Sequence, residues 1–120
     1  MPTLLEQARA RRAFELVNAI AQGNDAAAKK KYSTHCRRTP QLLQQSGICQ
    51  TVAFLQSKPD MFPFLRDFAS LVMSANAGAA ELLAQKSREA EVEEYMALSA
   101  HAMQCAAWMK RYAEALLSDD

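Results

Sequence analysis

Glycine is scarce in this chain: Gly23, Gly47 and Gly78 are the only three in 120 residues. They stand too far apart to build a phosphate-cradling loop or a nucleophile elbow. Cysteine is equally sparse. Cys36, Cys49 and Cys105 are odd in number and irregularly spaced, with no CxxC pair, so a zinc framework is excluded and reduced thiols acting as small hydrophobes are expected. The two histidines, His35 and His101, have no carboxylate three or four residues away, which removes helical metal-ligand pairs and leaves no catalytic constellation. No stretch reaches the roughly 20 consecutive apolar residues of a membrane span. These absences predict a soluble, cytoplasmic protein that is not an enzyme, with no cofactor, no metal, no small-molecule substrate and no membrane contact.

What is present favours helix. Half of the residues are apolar, alanine is abundant and β-branched residues are few, a composition whose side chains lose little entropy in a helix. The length suits one domain, residues 1–120, and the expected fold class is all-α: a compact helical bundle of about five to seven helices with a long C-terminal helix. Net charge is only +1, but it is unevenly placed. Residues 1–60 carry nine Lys/Arg against four Asp/Glu, and residues 61–120 five against nine. One face can therefore approach an anionic partner while another suits a basic one.

Apolar spacing and breakers divide the chain. A first helix is expected from an N-cap at Thr3 to Gln22, with Ala10, Ala13, Phe14, Val17, Ile20 and Ala21 as its stripe. Asp25 caps a second helix that should end near Arg38, because Pro40 biases Thr39 away from helical geometry. A short helix over residues 40–45 is stopped by Ser46 and Gly47, and the next, from Ile48 to Gln56, places Ile48, Val52 and Leu55 on one face. After a turn at residues 57–60, a helix from Met61 repeats Phe64/Leu65, Phe68 and Leu71/Val72, and Asn76 and Gly78 end it. Another short helix covers residues 79–87.

The last helix, residues 89–117, carries two apolar stripes. One contains Val92, Met96, Ala102, Ala106, Met109 and Ala113, the other Leu98, His101, Cys105, Trp108, Tyr112 and Leu116. A helix apolar nearly all round is either central to its own bundle or half-covered by another chain, so Leu98, Cys105, Trp108 and Tyr112 are candidate subunit-interface residues. His101, on the second stripe, is expected to be a satisfied or interface histidine.

The cations between Lys29 and Lys58 have usable geometry. On a helix, Lys30 and Arg37 are seven residues apart and so are Lys31 and Arg38, which aligns four cations along one side over about 10 Å. That length matches one or two phosphate steps of a nucleic-acid backbone, and it equally describes a solvated charged face. Tyr32, Phe54 and Trp108 all suit core positions, so base stacking is not indicated, and cations without an aromatic platform fit backbone contact with a duplex.

The run Gly47, Ile48, Cys49, Gln50, Thr51, Val52, Ala53, Phe54 and Leu55, preceded by Lys31, Tyr32, Arg37, Arg38 and Pro40, resembles the central signature of one family: the small helical subunit of the type III-B CRISPR Cmr effector complex. The segment Trp108, Met109, Lys110, Arg111, Tyr112, Ala113 and Glu114 resembles the same family's terminal helix. The resemblance implies a non-catalytic, RNA-binding antiviral-defence protein that stacks in several copies beside other Cmr subunits, along guide RNA and target RNA. Carried over by position, it makes Lys31, Arg37, Arg38 and Lys58, together with Lys30 from the helical row, candidate RNA contacts, and Lys110 and Arg111 a second basic site. Gln50 and Thr51 would hold a helix start or touch phosphate. Thr39 departs from the family pattern, which has an apolar residue there. The rival reading is a helical protein–protein adaptor that dimerises or docks through the apolar C-terminal helix and binds no nucleic acid.

Overall fold

A computed structural model describes residues 4–117. It contains five α-helices and a short 3-10 turn: α1 (Leu4–Ala21), α2 (Ala26–Gln56), the turn Pro59–Met61, α3 (Phe62–Met73), α4 (Ala79–Glu89) and α5 (Val92–Leu116). No strand occurs among the described residues, as the all-α composition requires. The expected N-cap at Thr3 lies outside the described residues.

Helix α5 lies between α1 on one side and α2 on the other, and α3 and α4 close the bundle against α2. The apolar periods of the sequence explain this arrangement. Ala13 and Val17 of α1, Ile48, Val52 and Leu55 of α2, Phe64, Leu65 and Phe68 of α3, and Ala102, Ala106, Met109 and Ala113 of α5 are all buried in one core. Each fully buried large side chain contributes about 1.5–3 kcal/mol. The small alanines of α5 allow helices to approach it from both sides. Phe64 stacks on Phe68 at 5.6 Å between centroids, and Tyr32 meets Phe64 edge-on at 5.9 Å. Tyr32 also donates its hydroxyl hydrogen to the buried carboxylate of Asp67 at 2.8 Å, which ties α2 to α3.

Two expected boundaries are corrected. Asp25 caps α2 as predicted, its carboxylate accepting from the Ala28 amide at 3.1 Å, but the helix does not stop before Pro40. It continues through the proline. Cys36, Thr39 and Leu43 are buried on one side across that position, and the Thr39 hydroxyl donates to the His35 carbonyl at 2.7 Å. Packing on both sides of Pro40 outweighs the lost amide donor. The same bond explains how a threonine occupies a fully buried position.

The stop expected at Ser46 and Gly47 is present, and falls at Gly47, with φ 79° and ψ 168°, a region essentially reserved for glycine. The chain then re-enters helix at Ile48, and this restarted segment has no capping side chain of its own. Tyr95, from the first turn of α5, supplies the missing group: its hydroxyl oxygen accepts from the Cys49 amide at 3.4 Å. Removing that hydroxyl in Tyr95→Phe should cost about 1 kcal/mol, read as a lower midpoint in urea; an unchanged midpoint would show that the cap is inert.

The second correction is α3, which ends at Met73 rather than near Asn76. Ser74 takes a left-handed conformation, φ 53° and ψ 42°, and the Ala75 amide closes onto the Ser70 carbonyl at 3.3 Å. At the start of α5, Val92 and Met96 belong to the first apolar stripe but are 74% and 65% exposed. The stripe is buried only from Ala102 onward.

Candidate nucleic-acid interface

Because α2 continues past Arg38 to its break at Gly47, residues 26–46 form one helical stretch and the predicted row exists. Its inner side is fixed by buried Tyr32, Cys36 and Thr39. Its outer side presents Lys30, Lys31, Arg37 and Arg38, all exposed. Helical rise separates Lys30 from Arg37, and Lys31 from Arg38, by about 10 Å. The ion pairs among the described residues are Arg12–Glu15 at 3.3 Å and Arg66–Asp67 at 3.2 Å, so none of the four cations is paired with an acid. Arg37 directs Nε to the Ser33 carbonyl at 3.4 Å. Its terminal nitrogens have no partner among the described residues.

The other predicted basic residues are separate from this row. Lys58 is exposed in the extended link before Pro59. Lys110 is half-buried on α5, and Arg111 is exposed with its guanidinium 5.3 Å from the Trp108 ring centroid. That cation–π contact fixes one face of Arg111 and leaves its edge donors for a bidentate partner.

Gln50 is exposed, whereas Thr51 is 1% exposed. At that burial its hydroxyl is closed to phosphate. Thr34 and Thr39 each bond the carbonyl four residues back, but for Thr51 that residue is Gly47, whose non-helical geometry breaks the pattern, and the hydroxyl has no partner. Most of the signature segment therefore builds a corner: a glycine that turns the chain and Ile48, Val52 and Leu55 that anchor the restart. Phe54, at 36% exposure, stays at the surface.

The second apolar stripe of α5 is largely covered from within. Cys105 is fully buried and so closed to a partner, while Leu98, Trp108 and Tyr112 are half-buried against the core. Phe14 of α1 meets Tyr112 edge-on at 5.5 Å, and Trp108 stacks on Tyr112 at 5.8 Å. Burial pushes the Cys105 thiol up to about 12 and the Cys36 thiol higher still, so neither is a nucleophile at neutral pH.

Sequence reasoning missed Arg9, a residue ninety-two positions from its partner. Its Nε donates to His101 Nδ1 at 3.0 Å, and His101 Nε2 donates to the Val72 carbonyl at 3.0 Å. These partners assign the proton to Nε2. They also make His101 a three-helix clamp rather than an acid–base group. Burial, then the Arg9 charge, holds its pKa below the ordinary 6.5, and burial likewise lowers His35. The folded state thus binds fewer protons than the unfolded one. Stability is complete above pH 6.5 and falls as pH drops from there through the folded pKa. Urea midpoints should decline between pH 7.5 and 5.5, less steeply in His101→Gln; a wild-type midpoint that does not fall would remove this coupling.

The family model described as CRISPR-associated protein (Cas_Cmr5) matches residues 5–116. This chain belongs to the Cmr5 family. Within it, the "CRISPR system Cmr subunit Cmr5" of Thermus thermophilus is 30% identical over 116 residues, covering 94% of this chain and 96% of the relative. The crystal structure of a CRISPR-associated Cmr5 family protein from Thermus thermophilus superposes with a TM-score of 0.85 at 30% identity, over 98% of this chain and 100% of that one. The family expected from two short motifs is therefore correct, and the match spans the bundle rather than the motifs alone. Among the described residues no helix is long and apolar enough to cross a membrane.

Proposed function

We propose that this Cmr5 protein is the small, non-catalytic subunit of a type III-B Cmr ribonucleoprotein in the cytoplasm, serving antiviral RNA interference. Its partners are guide RNA, target RNA, other Cmr subunits and copies of itself. The observation that carries this reading is the row Lys30, Lys31, Arg37 and Arg38, exposed and outside any described ion pair. Cations left unpaired on a stiff helix can neutralise successive phosphates of an A-form-like duplex without reorganising, and each contact releases condensed counterions. Lys58, Lys110 and Arg111 would add contacts outside the row. Exposed Val92 and Met96 at the start of α5 offer neighbouring subunits an apolar surface more open than Leu98, Trp108 and Tyr112.

Co-purification tests the assignment. Tagged protein from cells making the other Cmr subunits and a guide should recover both, and nuclease treatment should release part of the complex. Recovery of a protein partner without RNA, unchanged by nuclease, would favour the adaptor reading instead.

A further inference from the structure

A cleft of about 440 Å³ opens where the end of α1, the first turns of α2 and the start of α3 meet. Its walls are mainly apolar, with Ile20, Pro63 and Phe64 among them, while Lys31 and Asp60 also line it. His35 lines it as well. That residue is 9% exposed, and its Nδ1 is enclosed without a hydrogen-bond partner. The Asp60 carboxylate is exposed, attracts His35 electrostatically, and is in no ion pair or side-chain hydrogen bond among the described residues.

This combination differs from the cationic row. A naked phosphate would gain little from apolar walls and would meet the Asp60 carboxylate. A flat heterocycle suits the space: its faces match the apolar walls, and an amino group on its edge would be a donor for the exposed Asp60 carboxylate. Lys31 belongs both to the row and to the rim. A strand whose phosphate sits on Lys31 therefore has its adjoining base within reach of the cleft.

We propose that this cleft receives one unpaired nucleobase of the RNA strand whose backbone follows the α2 row, with Asp60 accepting from an exocyclic amino group and the base lying against the wall to which His35 and Phe64 contribute. The inference rests on the RNA reading above and adds a base-recognition site to it. Burying a base between apolar walls while leaving its phosphate on a surface lysine follows the way single-stranded RNA positions are read.

Titration of the isotopically labelled full chain with AMP, CMP, GMP, UMP and ribose 5-phosphate, followed by magnetic resonance of the histidine rings and backbone amides, tests it. The three amino-bearing nucleotides should shift the His35 ring and the Phe64 amide. UMP should bind about threefold to tenfold more weakly, and ribose 5-phosphate should leave His35 unmoved. Asp60→Asn, a surface change, should narrow or reverse the preference against UMP, because an amide can donate to the uracil carbonyl. A His35 ring unmoved by any nucleotide, an identical response to ribose 5-phosphate, or an Asp60→Asn protein with unaltered preference would overturn the proposal. The site can fail while the backbone reading stands: Asp60→Asn should leave duplex affinity intact, and R37E/R38E should leave the AMP response of His35 intact.

Discussion

Gly47→Ala should destabilise this protein by about 1–3 kcal/mol from backbone strain alone, because the φ 79°, ψ 168° conformation is open to glycine and strongly disfavoured for alanine. Crowding adds to the strain. A Cβ at this position would stand 3.2 Å from the Tyr95 hydroxyl, the group that caps the restarted helix, so relief by moving Tyr95 would forfeit the bond to the Cys49 amide. Against a typical total of about 5–15 kcal/mol, this is a large fraction. Gly78→Ala is the matched control: its φ is also positive, at 71°, but nothing lies within 4 Å of the new Cβ. Urea denaturation should rank Gly47→Ala well below Gly78→Ala. Equal losses would mean that the corner is not a specified feature of the fold.

The second large effect concerns RNA. R37E/R38E replaces two exposed, unpaired cations with two acids on the outer side of α2, while the buried side of the helix is untouched. A charged hydrogen bond to phosphate is worth about 1.5–3 kcal/mol, reduced at exposed sites by solvent and salt, so loss of two contacts should weaken duplex binding by at least about tenfold at low salt. K86E/R88E, on exposed positions at the end of α4, changes the net charge by the same amount at a different place. Fluorescence anisotropy with a guide/target RNA duplex should separate the two variants. Similar losses would reduce the α2 row to a share of overall charge, with no positional role.

Features set by local register were legible in the sequence. Asp25 as a cap, the burial of Ile48, Val52 and Leu55, and the alignment of Lys30 with Arg37 depend only on helical geometry and on which face is apolar. The boundary at Gly47 was legible too, but the continuity across Pro40 was not. Pro40 is the stronger local breaker, yet burial of Thr39 and Leu43 and the Thr39–His35 bond carry the helix across it. Gly47 breaks the helix with help from Tyr95, forty-six residues away from the amide it caps. The two apolar stripes of α5 posed the same kind of question. Periodicity showed that both needed cover, but only the packing of α1 and α2 against α5 shows that most of the cover comes from within the chain. Arg9 meeting His101 had no signal in spacing at all.

The central claim is that the α2 row contacts phosphate, and counterion release reads that contact directly. The duplex association constant should be measured from low to moderate salt for the wild-type protein and for R37E/R38E. Each phosphate contact contributes about 0.7–0.9 to the log–log slope, so loss of two should make the variant's slope shallower by about 1.4–1.8. A wild-type slope near zero, or the same slope in both proteins, would contradict the account.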